Sequence, residues 1–139
     1  MDPLLNSISK HIAFLGYSTP PPEPPPNIDI INAVHPSRPP FWVFPLSGGA
    51  FFRALYSLTA DAHQDLNGYN SFINELNITS VLTHFFTSQD FLFIAAWYYG
   101  EYDAGRLGIF LDRFLFEATM PHRQFREQSE RYLGPARYA

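Results

Sequence analysis

The sequence predicts an α+β domain: an antiparallel sheet of about five strands packed by three helices, in the order α-β-β-β-α-β-β-α. Two pairs of apolar runs are each joined by a turn signal, Ser47-Gly48-Gly49 and Thr87-Ser88-Gln89-Asp90, which is the pattern of hairpins. Three other segments repeat apolar residues every three or four positions, the period of a helix with one buried stripe. Adjacent hairpins favour antiparallel pairing, and one-sided helices need a sheet to cover.

Asp2 followed by Pro3 starts the first helix, a carboxylate cap ahead of a residue whose φ is already helical. Leu5, Ile8, Ile12 and Leu15 form its stripe, and Gly16 is placed to end it. Pro20 to Pro26, broken only by Glu23, is extended and close to polyproline II. It lacks a flanking basic residue and joins two patterned elements, so it reads as a stiff spacer rather than a ligand for a proline-binding module. Ile28 to Val34 is the first strand, closed by His35-Pro36. Phe41 to Leu46 is the second, an edge strand or strand end because of Pro45, and Ala50 to Leu58 is the third.

Asp61 to Leu76 is the second helix, with Leu66, Tyr69, Ile73 and Leu76 on one side, Gly68 weakening it and Asn77 as its stop. Val81 to Phe86 and Phe91 to Tyr99 form a hairpin that is apolar on both faces. Side chains alternate across a strand, so Phe91, Phe93, Ala95, Trp97 and Tyr99 share one face while Leu92, Ile94, Ala96 and Tyr98 share the other. The chain's own helices can bury one face; the other calls for more protein. Asp103 caps the third helix, whose main stripe is Leu107, Phe110, Leu111, Phe114, Leu115 and Ala118. Pro121 interrupts it, Phe125 to Tyr132 continues as a helical turn or two, and the chain from about 134 reads as a frayed tail.

With 139 residues and no internal repeat, residues 1–139 form one domain. Only 16% of the residues are charged, against roughly 25% in ordinary soluble domains, while aromatics reach 17%. So little charge leaves apolar surface to be shared with another molecule. The net charge of −4 opposes non-specific nucleic-acid binding, which needs a basic footprint. There is no cysteine, which excludes disulfides and thiolate chemistry. No signal peptide is visible at the N-terminus, and the longest apolar run falls far short of the ~20 residues of a membrane helix. A cytoplasmic protein without membrane contact is the expectation. Asn77-Ile78-Thr79 matches a glycosylation sequon that has no role in such a location.

No residue set argues for catalysis, a metal or a cofactor. The five histidines form no HxxxH or HExxH pattern, and His63 lies beside Asp61 and Asp65 only because acidic residues suit a helix start. Glu101 and Asp103 are explained by helix capping, Ser47 lacks the first glycine of a nucleophile elbow, and Gly48-Gly49 lacks the lysine of a phosphate loop. Arg123, Arg126, Arg131 and Arg137 are interleaved with Glu127 and Glu130, the pattern of a solvated face. The third helix carries a second apolar stripe, Ile109, Phe116 and Met120, nearly opposite the first. A partner contact explains it, as does a C-terminal segment folded over it.

Leu15-Gly16-Tyr17 at the end of the first helix, Leu66-Asn67-Gly68-Tyr69-Asn70 as an "LNxxN" string, the Val81–Tyr99 hairpin, and Glu101-Tyr102-Asp103 leading into the Leu107–Phe114 stripe together resemble the YbjN family of bacterial proteins. That family's fold is similar to the type III secretion chaperones. The resemblance spans residues 4 to about 120; the proline spacer and the more aromatic hairpin depart from it. It implies a small non-enzymatic domain, often dimeric, that binds other polypeptides or has a regulatory role. The expectation is therefore a non-enzymatic protein-binding or chaperone-like module acting as a homodimer, with Ile109, Phe116, Met120, Trp97 and Tyr99 as partner-binding residues and no cofactor. A small-ligand protein or enzyme with an aromatic pocket of Trp42, Trp97 and Tyr98 is the alternative. A subunit stable only within a larger complex is a third.

Overall fold

The structure, a computed structural model, describes residues 2–23 and 26–137, with side chains as far as 135. Helix α1 spans Pro3–Phe14, and the Asp2 carboxylate accepts the Leu5 amide at 3.1 Å, so the cap forms as its residues dictate. Gly16 leaves the helix at φ +89°, a left-handed turn that suits glycine. Three strands follow as a meander: β1 (Ile31–Ala33), β2 (Phe41–Leu46) and β3 (Gly49–Leu58). Two short-linked helices, α2 (Ala60–Gln64) and α3 (Leu66–Thr79), lead to the hairpin β4 (His84–Ser88) and β5 (Phe91–Tyr99). The chain closes with α4 (Ala104–Gln124), α5 (Arg126–Tyr132) and β6 (Leu133–Arg137).

The class is α+β, with five helices and six strands among the described residues rather than three and about five. The expected second helix breaks at Asp65, whose backbone leaves the helical region and whose carboxylate caps α3 by accepting the Gly68 amide at 3.1 Å. Asn77 does not stop α3. Its side chain instead pairs with the backbone of Phe85 on β4, accepting the amide and donating to the carbonyl at 2.8 Å each. α4 runs through Pro121, which removes one amide donor near the helix end but is itself buried in the core. The expected tail from about 134 is also corrected as far as 137, where the chain pairs with β3; residues 138–139 lie outside the described set.

All pairings are antiparallel, in the order β1-β2-β3-β5-β4. β5 takes one edge of β3. On the other edge, β2 pairs with Arg53 back to Gly49, which leaves the far end of β3 open, and β6 fills it from Leu55 to Leu58. The outer edge of β4 is blunted by Asn77, which occupies backbone groups that a foreign strand would otherwise use.

The helices share one face of the sheet. Phe52 of β3 packs on Phe110 and Phe114 of α4 at ring separations of 4.8 and 5.8 Å. The Tyr56 hydroxyl donates to the Ala118 carbonyl at 2.8 Å. Tyr17, just after α1, sits edge-on to Phe41 of β2, and Tyr69 of α3 hydrogen-bonds Thr87 of β4. The core is this single layer between helices and sheet: Leu5, Ile8 and Ile12 below, with Ala50, Phe52, Ala54, Leu92, Ile94 and Ala96 above.

Candidate interaction surface

The alternation that buries one face of the sheet sets a second, aromatic array on the other. Along β3 the positions opposite the core are Phe51, Arg53, Leu55 and Ser57; on β2 they are Trp42 and Phe44; on β5 they are Phe91, Phe93, Ala95, Trp97 and Tyr99; on β4 they are His84 and Phe86. No helix lies across them among the described residues. The rings touch in series across four strands. Trp42 meets Phe44 at 5.8 Å, Phe44 meets Phe51 at 6.0 Å, Phe51 meets Trp97 at 5.2 Å, and Trp97 meets His84 at 5.4 Å. Phe86 and Phe93 stack at 5.3 Å. Cross-strand aromatic pairs of this kind stabilise a sheet, so the array is rigid as well as apolar.

Arg53 stands at the middle of this face, on the central strand. Its guanidinium carbon lies 4.8 Å from the Phe44 ring centre and 5.1 Å from those of Trp42 and Phe93. These cation–π contacts hold it in place, but its Nε is buried without a hydrogen-bond partner. Burial pulls its pKa below the ordinary value, yet a guanidinium stays charged at neutral pH. No acidic residue occupies any described strand position of this face.

The five residues expected to bind a partner fall in three places. Trp97 and Tyr99 are on the open sheet face, 37% and 62% exposed. Ile109 and Phe116 are on the outer side of α4, 75% and 41% exposed, with the guanidinium groups of Arg113 and Arg123 at 5.0 and 4.1 Å from the Phe116 ring. Met120 is 1% exposed and belongs to the core. Its assignment as a contact residue is corrected: its side chain packs within the cluster between the helices and the sheet rather than on the outer side of α4. The three aromatics of the alternative pocket do not converge either, because Tyr98 faces Phe110 in the core while Trp42 and Trp97 face outward. Arg53, Phe44 and Phe51 were not singled out from the sequence. Their signal was an isolated arginine in an apolar strand, at the alternate positions of a run read only for its glycines and proline.

The polar clusters have structural partners. Glu117 of α4, fully buried, accepts the amides of Val81, Leu82 and Thr83, the Thr83 hydroxyl and Arg113 Nε. Burial alone would raise its pKa, but those donors hold it below the ordinary value. Asp103 caps α4, its carboxylate accepting the Arg106 amide at 2.8 Å. Ser129 and His122 Nδ1 are 2.6 Å apart, but Ser129 is fully buried and out of reach of a substrate. A cleft of about 490 Å³ between the start of α1, the β2–β3 turn and the β5–α4 loop is lined by residues that include Asp2, Leu4, Ser7, Leu46, Glu101 and Tyr102. No group of three potential metal ligands occurs among the described residues, and no helix is long and apolar enough to cross a membrane.

No protein-family model and no curated protein matches the chain. Among solved structures it is similar to that of YbjN from E. coli, described as a candidate transcription regulator. The two share 13% sequence identity, superpose with a TM-score of 0.71, and match over 96% of this chain and 97% of the other. The chain thus has a YbjN-like fold.

Proposed function

We propose that this chain is a non-enzymatic regulatory or chaperone-like module, cytoplasmic and related to YbjN, that works by binding another protein through the open face of its sheet. One observation carries this reading: an unbroken aromatic array across four strands lies on the side away from every helix. Scattered apolar residues are normal on a surface, but a contiguous patch of large rings costs solvation unless something covers it. Aromatic and arginine side chains are also the residues that dominate protein interfaces. The fold resemblance to a candidate transcription regulator supports the regulatory sense, and the buried or capped state of each polar cluster supports binding over catalysis.

A homodimer is the second reading, favoured by the exposure of Ile109 and Phe116 on α4. A contact there leaves the sheet face free for a different partner.

The test is affinity purification from the native host with three baits: wild type, Trp97→Glu, and Ile78→Glu, which alters an exposed apolar residue of α3 away from the sheet face. A partner that co-elutes with wild type and Ile78→Glu but is lost with Trp97→Glu supports the reading. The same set of co-eluting proteins from all three contradicts it.

A further inference from the structure

The open face carries Arg53 at its centre, with Arg137 at the β6 position opposite Leu55, and the central charge specifies its occupant. We propose that the face receives an apolar segment of a partner polypeptide bearing a single carboxylate, seated against the guanidinium of Arg53; this rests on the sheet face being the docking surface. Arg53 is surrounded by Trp42, Phe44 and Phe93, and its Nε finds no acceptor within the chain. Beside it, across the β3–β5 pairing, stands Ala95, which its neighbours cover completely, so an occupant meets Arg53 and the rings rather than the strand beneath them. A carboxylate seated over Arg53 meets a planar fork of donors among apolar rings, and once the partner covers them a charge-assisted hydrogen bond there is strong. The rings around it give the remaining contact area to apolar side chains.

Charge complementarity separates this occupant from two others. A second copy packed face to face would set the two Arg53 groups against each other near the two-fold axis, because such a contact uses the same patch on both chains. Both would then be buried without an anion, since the face supplies none of its own. A nucleic acid presents phosphates at regular intervals and needs several cations to match them. This face offers two arginine positions, Arg53 and Arg137, in a chain of net charge −4.

The experiment uses the full chain and the quenching of its Trp42 and Trp97 fluorescence. The probes are peptides with leucines either alternating with serine or at helical spacing, each with glutamate, glutamine or lysine at the centre of the leucine face. Oligothymidylate and sedimentation of the free chain complete the set. In at least one spacing the glutamate peptide should bind about tenfold tighter than the glutamine peptide, and lysine should bind least. Arg53→Met, folded by circular dichroism, should bind glutamate and glutamine peptides alike. Should Arg53→Met not fold, the order of the three peptides on wild type decides alone. Equal binding of glutamate and glutamine peptides overturns the acidic occupant and leaves the docking surface standing. A preference that survives in Arg53→Met, tighter binding of oligothymidylate, or a free dimer that shields both tryptophans also overturns it. No quenching by any peptide removes the docking surface itself.

Discussion

The Glu117 carboxylate of α4 accepts both the amide and the hydroxyl of Thr83, at 2.8 and 2.6 Å, and so fastens the start of the β4–β5 hairpin to the longest helix. A buried carboxylate with every lone pair engaged rigidifies what it touches, and here it touches the three residues ahead of β4. The hairpin carries half of the open aromatic face, so this carboxylate helps set the geometry of the docking surface. Glu117→Gln puts an amide N–H₂ where backbone N–H groups point. We expect a loss of about 2–4 kcal/mol in urea denaturation, and a variant as stable as wild type would contradict that role.

The same group gives the chain a signed response to acid. Glu117 is held below its ordinary pKa, so its contribution is complete above the unfolded carboxylate value, about pH 4.3, and is lost as pH falls through the lower folded value. The midpoint of urea denaturation should be flat from pH 7 to about pH 5 with respect to this group, then fall. In Glu117→Gln the acid limb should be shallower. An equally steep limb in the variant would assign the acid response to other carboxylates.

Tyr132 of α5 and Asp65 at the start of α3 form a second clamp, the hydroxyl donating to the carboxylate at 2.8 Å. That hydrogen bond, with the Gly68 amide, holds Asp65 below the ordinary carboxylate value. In Tyr132→Phe the Asp65 titration, followed by carboxyl carbon NMR, should move upward. An unmoved titration would mean that the bond does not persist in solution.

Much of the fold was legible because its local signals are strong. Asp2-Pro3 fixed the start of α1, Asp103 the start of α4, and the run from Phe91 to Tyr99 coincides with β5. β6 was not legible: Gly134-Pro135 reads as a break, and the strand exists only because β2 leaves one end of β3 unpaired. Asn77 likewise prefers Phe85, a partner revealed only by the packing of α3 beside β4. Of the surface, the exposure of Trp97 and Tyr99 follows from alternation. The role of Arg53 depends on the register of three strands, and the burial of Met120 on tertiary packing, neither of which is a local property.

The corrected place of Met120 separates two outcomes on one helix. Phe116→Glu and Ile109→Glu should leave the fold intact and, if α4 pairs copies of the chain, shift sedimentation from dimer to monomer. Met120→Ala should cost about 2–5 kcal/mol because it empties core volume, without being specific to assembly. A Met120→Ala variant as stable as wild type would return that residue to the surface.

Gly49 sits so close to the Tyr98 carbonyl that a Cβ would overlap backbone, which has little room to shift. Gly49→Ala should lower stability by about 1–3 kcal/mol and reduce peptide binding at the adjoining Phe51–Trp97 pair. Gly48→Ala, on the open side of the same turn, meets no neighbour and should change only the turn, where φ is +77°. Equal effects of both on peptide binding would contradict the assigned strain.

Hydroxyl-radical footprinting of the free chain and of its complex from the native host tests the sheet face most directly. Trp42, Phe86, Trp97 and Tyr99 should be oxidised in the free chain and protected in the complex, while Ile78 is modified equally in both. Unchanged oxidation of the four aromatic residues in the complex would show that the partner binds elsewhere.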